Sequence, residues 1–148
     1  MLLIRGAQEK DLCAIQMLYS QLHKDDVEAT DGSDVAVMQE IVSSDRFLLL
    51  VGIENDRTIA TCYLNIIPNL TRGAAPYGII ENVVTDSEFR NLGHGKAMMQ
   101  YALHQAWQRG CYKVMLQTGS RKASTHGFYK SCGFSGDDKF AFVARPEG

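Results

Sequence analysis

The sequence predicts one mixed α/β domain over residues 1–148, with a mixed sheet and the element order β-α-α-β-β-β-α-β-α-β. Three observations carry that prediction. Two apolar runs, residues 47–53 and 58–67, flank the turn-forming Glu54-Asn55-Asp56-Arg57, which is hairpin patterning. A strand-like run from Tyr77 to Thr85 leads through a glycine-bearing loop into a long helical pattern and then a further apolar run, as a β-α-β crossover requires. The length suits a single hydrophobic core, and no internal repeat or low-complexity linker divides it.

The elements follow in order. Leu2-Leu3-Ile4-Arg5 reads as a short strand. From Glu9 to His23 the apolar residues Leu12, Ile15, Leu18, Tyr19 and Leu22 keep a helical period. The acidic stretch from Asp25 to Asp34 breaks it, and Ser33 or Asp34 is the expected cap of a second helix bearing Val37, Met38, Ile41 and Val42. The hairpin comes next, then a loop from Pro68 to Pro76, then the strand Tyr77–Thr85. Between Gly95 and Arg109 the polar residues Lys96, Gln100, His104 and Gln108 recur every four positions, giving a helix with one wet stripe that Gly110 ends. Tyr112 to Thr118 is apolar enough for a central strand. Lys122 to Cys132 reads as a short helix closed by Gly133, weakened slightly by Gly127, and Lys139 to Ala144 as a last strand.

Composition excludes several classes. A net charge of −2 gives no general affinity for nucleic acid or membranes. The longest apolar run, Phe47 to Val51, is far short of a membrane span, and the N-terminus lacks signal-peptide patterning. Cys13, Cys62, Cys111 and Cys132 form no C-x-x-C pair and have mostly apolar neighbours, which reads as buried reduced thiols in a cytoplasmic protein. His23, His94, His104 and His126 show no ligand spacing with those cysteines, so no metal site is expected.

The chemistry concentrates where Ile80-Glu81-Asn82-Val83-Val84-Thr85-Asp86 runs into Phe89-Arg90-Asn91-Leu92-Gly93-His94-Gly95-Lys96-Ala97. Gly93 and Gly95 let backbone N–H groups approach an anion, and the helix that follows offers its positive end. Arg90 and Lys96 add full charges, so the stretch is built as a phosphate or pyrophosphate cradle. A P-loop would need a hydroxyl after Gly95-Lys96, where Ala97 stands, and a glycine where Arg90 stands. A dinucleotide fingerprint would need a glycine at Met98. What is left is R-x-x-G-x-G, from Arg90 through Gly93 to Gly95.

That loop resembles the acetyl-coenzyme A pyrophosphate loop of the GNAT N-acetyltransferase superfamily. Phe128-Tyr129-Lys130-Ser131-Cys132-Gly133-Phe134 is similar to the F-Y-x-x-x-G-F signature that closes the family's last helix, and the element order resembles the GNAT acyl-CoA N-acyltransferase fold across essentially the whole chain. Within the family, Glu81-Asn82-Val83-Val84 and Gly110-Cys111-Tyr112-Lys113 resemble the glucosamine-6-phosphate N-acetyltransferases.

The resemblance implies direct attack of a primary amine on acetyl-CoA in a ternary complex, without a covalent enzyme intermediate. The free amine is the nucleophile, and a lysine-like amine has a pKa near ~10.4, so a base must take a proton while the leaving thiolate gains one. The resemblance casts Glu81 as that base, directly or through water, and an acid amid Ile79, Ile80, Val83 and Val84 is itself unusual. It casts Tyr129 as the proton donor to sulfur; phenol near ~10 lies close above a thiol near ~8.5. The backbone of Val83 and Val84 would pair with the pantetheine arm, which relatives admit by splaying the fourth and fifth strands. Asn91, Leu92, Gly93, His94, Gly95, Lys96 and Ala97 would hold the pyrophosphate, with Arg90 as a phosphate contact and His94 as an exposed loop residue, not a catalyst. Thr118, Ser124 and Lys130 complete the coenzyme contacts; Thr118 or Ser124 replaces an asparagine that many relatives carry before the last helix and that residues 119–127 lack.

For the acceptor the residues point two ways. The acids from Asp25 to Asp34 suit a cationic amine such as a polyamine, an aminoglycoside or a lysine-like group, or are simply a solvated loop. Arg72, Arg121 and Lys122 suit a sugar phosphate. A protein amine, a non-catalytic acyl-CoA-binding or regulatory module on the same fold, and a nucleotide-binding protein are the alternatives. Glu81 and Tyr129 weigh against the second, and Ala97 and Met98 against the third. By family analogy a homodimer is expected, pairing through the strand edge after Lys139.

Overall fold

The computed structural model describes residues 1–147, which divide into two compact units, Met1–Leu116 and the residues from Gln117 onward. The first unit is built on one sheet whose strands lie in chain order: β1 (Leu3–Gly6), β2 (Phe47–Glu54), β3 (Arg57–Ile67), β4 (Tyr77–Thr85) and β5 (Val114–Leu116). Neighbours pair antiparallel except β4 and β5, which run parallel. Its helices are α1 (Leu12–Leu22), α2 (Ser33–Val42) and α4 (His94–Gln108), with α3 (Thr71–Ala74) a single turn whose Arg72, Gly73 and Ala74 are left-handed; the second unit carries α5 (Ala123–Ser131). Among the described residues no helix is long and apolar enough to cross a membrane.

Alternation along β2 separates the two faces of the sheet. Leu49 and Val51 pack with Ile15 of α1 and Met38 of α2. Gly52, one step on, faces α4: a Cβ there would meet Met98 Sδ at 3.1 Å and the Ala60 Cβ at 3.4 Å, so glycine is what lets the helix lie this close. Met98, Met99, Ala102 and Ala106 form the buried stripe of α4, while Lys96, Gln100, His104 and Gln108 are exposed, as their period predicts. Two-residue turn geometry closes the hairpin, with Asn55 and Asp56 both in the left-handed region (φ 50° and 62°).

Three expectations are corrected. The cap of α2 is Gly32, at φ 84°; Ser33 and Asp34 already lie in its first turn. The strand expected over Tyr112–Thr118 is confined to Val114–Leu116 and is an edge strand, half-buried and, among the described residues, paired only to β4, because apolarity alone cannot distinguish a central strand from one that packs on a single neighbour. Residues 139–144 form no strand, and Phe140, Phe142 and Val143 are exposed; the alternating pattern is present but no ladder partner is paired with it in the described residues.

β1 is anchored by a bidentate pair. Arg5 Nη1 and Nη2 donate to Asp11 at 2.7 and 3.1 Å, and the backbone N–H of Gln8 donates to the same carboxylate at 2.7 Å. The Arg5 hydrogen bond holds the Asp11 carboxyl below the usual carboxylate range, against the opposing effect of burial. A carboxylate depressed in the folded state stabilises above its unfolded pKa of ~3.9, and that contribution is lost as pH falls through the folded value. Asp11→Asn should therefore cost about 2 kcal/mol at neutral pH, with the gap to wild type closing in acid below pH ~4. Urea unfolding at both pH values checks this; a gap that does not depend on pH would show that the ion pair contributes nothing.

Candidate functional site

The site begins with an irregularity in β4. Tyr63 opposes Glu81 and Thr61 opposes Val84, so Asn82 and Val83 together face Cys62. This is a β-bulge, and its extra residue, Asn82, takes φ 53°, a conformation that asparagine tolerates better than most residues. The Asn82 side chain hydrogen-bonds the Tyr19 hydroxyl from α1, and burial pushes that phenol up to about 12 despite the bond. The register puts Glu81 and Val84 on the same face, where an unbroken strand would put them on opposite faces. Val84 is buried there, whereas Glu81 is exposed beside Tyr63. Burial raises the Tyr63 phenol, and the charge of Glu40 adds to the effect, so a second carboxylate shares this face.

On its other side β4 pairs with β5 only from Gly78 to Ile80. Among the described residues no strand continues that ladder from Glu81 to Thr85, which leaves backbone groups for an extended ligand to pair with. The bulge and the end of the β5 ladder fall at the same point of the strand.

Beyond β4 the chain turns once through Ser87–Phe89, where the Asp86 carboxylate accepts from the Glu88 N–H at 3.0 Å. Arg90 is exposed, and its Nε donates to the Thr85 carbonyl at 3.0 Å. Asn91 and Gly93 are both left-handed, at φ 63° and 85°, and Gly93 starts α4. The first intrahelical bond runs from Ala97 to Gly93, so the N–H groups of His94, Gly95 and Lys96 precede it. These donors, the helix dipole and the exposed Lys96 fit an anion, and the open space around Gly93 fits close approach of one. His94 corrects an expectation: it is the first residue of α4, its side chain is only 13% exposed, and Nε2 lies 3.4 Å from Glu54 Oε2.

The second unit holds the remaining predicted residues. Thr118 is exposed, and its Oγ1 accepts from the Ser120 N–H at 3.1 Å. Ser120 organises the loop before α5: its hydroxyl donates to Thr125 Oγ1 at 3.0 Å, and its carbonyl meets His126 Nε2 at 2.7 Å. Ser124 and Lys130 lie exposed on α5. Tyr129 is half-buried and stacks edge-on between Phe128 and Phe134, with ring centroids at 5.2 and 6.2 Å. The F-Y-x-x-x-G-F signature thus builds an aromatic clamp about the tyrosine, and the Phe134 N–H closes it by donating to the Tyr129 carbonyl at 3.1 Å.

Glu81, Val83, Val84 and residues 90–97 therefore gather in the first unit, and Thr118, Ser124, Tyr129 and Lys130 in the second. Sequence reading missed Asn82 and Tyr19, which shape the bulge, Arg57, which ties the hairpin to the loop, and Ser120. Only Asn82 left a signal, as an asparagine inside a β-branched run. Two surface concavities lie elsewhere, one of about 240 Å³ between Ala7, Val42, Phe47 and Tyr101 and one of about 410 Å³ between Arg46, Pro68, Pro76 and Arg109. Neither includes the bulge or the glycine loop.

The family model described as Acetyltransferase (GNAT) family matches residues 15–134. The glucosamine 6-phosphate N-acetyltransferase of Trypanosoma brucei brucei is 34% identical over 83 residues, 56% of this chain and 54% of that protein. The chain thus spans about half the length of the curated relatives it matches. Among solved structures, an acetyltransferase-like chain from Agrobacterium tumefaciens str. C58 superimposes with a TM-score of 0.91 at 39% identity, covering 97% of this chain and 99% of that one. The glucosamine-6-phosphate N-acetyltransferase of Arabidopsis thaliana gives 0.83 at 28% identity, covering 99% and 98%.

Proposed function

Because this chain belongs to the GNAT acetyltransferase family, we propose that it is an acetyl-CoA-dependent N-acetyltransferase acting on a primary amine of a small molecule. The observation that carries this reading is the glycine loop at the start of α4, directly after a bulged β4 whose pairing with β5 stops at Ile80. The matched family region runs across the boundary between the two units, which supports reading them as one catalytic domain.

Acetyl-CoA supplies the activated thioester. The N–H groups of His94, Gly95 and Lys96, with Arg90, bind the pyrophosphate; the backbone of Val83 and Val84 aligns the pantetheine arm. Glu81 accepts the amine proton, and Tyr129 donates one to the departing sulfur. A half-buried phenol ring between two aromatic neighbours is well placed to hold one rotamer, which favours the directed proton transfer. The relatives named for glucosamine 6-phosphate make an amino sugar phosphate the first acceptor to try, ahead of polyamines and aminoglycosides. We place the enzyme in the cytoplasm, in keeping with the free thiols of Cys13, Cys62 and Cys111, and read it as a homodimer by family analogy.

Thermal unfolding with acetyl-CoA, ATP and NAD added separately tests the proposal. At 100 times its Kd, acetyl-CoA should add ~2.7 kcal/mol and raise the midpoint, while ATP and NAD at the same concentration should not. Thiol release with each acceptor class then identifies the amine. No shift with millimolar acetyl-CoA would remove the enzyme assignment.

A further inference from the structure

We propose that Arg57, at the turn of the β2–β3 hairpin, is a positioning residue for the anion-binding loop, holding its lead-in and neutralising two carboxylates that would otherwise repel pyrophosphate. The inference rests on the reading of that loop as the pyrophosphate site.

Arg57 is fixed from its own side by the hairpin, in which it pairs with Glu54 across the Asn55-Asp56 turn. From there its guanidinium forks. Nη2 lies 2.9 Å from Asp86 Oδ2 and Nη1 lies 2.9 Å from Glu88 Oε2. The same guanidinium covers the Phe89 ring, 5.1 Å from its centroid. Residues 86, 88 and 89 are thus all held by one side chain, immediately before Arg90 and the left-handed Asn91 and Gly93. The next link is Phe89 to His94, with ring centroids 6.4 Å apart, and His94 returns to the hairpin through Glu54. Both ends of the turn, Glu54 and Arg57, therefore grip the loop.

The electrostatics gives this grip a consequence. Glu88 is 69% exposed and stands three residues before Asn91; without Arg57 its charge and that of the buried Asp86 would be left unneutralised in the segment that leads into the loop's N–H groups. Like charge in this position weakens anion binding, and salt screens the effect. Arg57 lies outside the proton-transfer pair, so it should act on coenzyme affinity and not on the chemical step.

The test compares acetyl-CoA with acetyl-pantetheine, which has the thioester but no pyrophosphate. Arg57→Ala should raise the Kd for acetyl-CoA about tenfold at low salt and change kcat at saturation less than about twofold, with acetyl-pantetheine turnover unmoved. Adding Glu88→Gln to Arg57→Ala should recover about threefold of that affinity, because it removes a repelling charge without restoring any contact. Glu88→Gln alone, an exposed change that leaves the fold in place, should tighten acetyl-CoA binding slightly. Equal losses with both donors, or no recovery in the double variant, would mean that Arg57 only supports the fold. An unchanged Kd in Arg57→Ala, with wild type binding normally, overturns the inference alone; failure of wild type to bind acetyl-CoA overturns the functional reading and the inference together.

Discussion

Replacing Tyr129 by phenylalanine should lower turnover about 10²-fold while leaving the Kd for acetyl-CoA nearly intact. The ring is held between Phe128 and Phe134, and phenylalanine keeps both edge-on contacts, so the variant loses an oxygen and little packing. A loss confined to kcat is what removal of a transition-state proton donor produces, whereas a positional role for the ring would move Kd and kcat together. A stronger discrimination comes from the leaving group. The deficit of Tyr129→Phe should narrow with an acyl donor whose thiol has a lower pKa, since a better leaving thiolate needs its proton less. Calorimetry gives the affinity and thiol release gives the rate. Turnover equal to wild type in an assay where wild type is active would take Tyr129 out of the mechanism.

The sequence reveals the parts of this fold that depend on local pattern and conceals those that depend on what lies alongside. The strand Tyr77–Thr85 is found at its predicted bounds, because its β-branched run is closed by turn chemistry at both ends. The α4 stripe is equally legible, since a four-residue polar period needs no knowledge of the partner. The edge position of β5 and the missing strand at residues 139–144 were not legible, because a strand is defined by its ladder and not by its composition. His94 shows the same limit at the level of one side chain: it sits in a glycine loop by sequence, yet its side chain is largely covered and lies against a carboxylate from a hairpin 40 positions earlier. Arg57 was hidden for that reason too, as a turn residue whose partners lie in another segment. The bulge at Asn82 was written in the sequence only as a break in a β-branched run, and its structural meaning came from Tyr19 on a separate helix.

The bulge bears directly on the second large effect. Glu81→Gln should lower kcat/KM for the amine by about 10²-fold near neutral pH, with the deficit shrinking as pH rises toward the amine pKa. Glutamine keeps the shape and the exposed position of the side chain opposite Tyr63, so the fold and the coenzyme loop should be undisturbed. What it cannot do is accept a proton. With Glu81 as the proposed base, the ammonium that arrives would be deprotonated at the site; in the variant only the fraction already free in solution would react, and that fraction grows with pH. Exposure is no objection to the role, because a base that works through water needs a wet path, and a carboxylate on an open face has one. The register change at Asn82 sets Glu81 on the same face as Val84 at the point where the ladder to β5 ends, which is the arrangement the proposed roles of base and coenzyme-arm contact would use. A pH–rate profile for Glu81→Gln parallel to wild type at every pH would remove the base and leave the bulge serving the coenzyme alone.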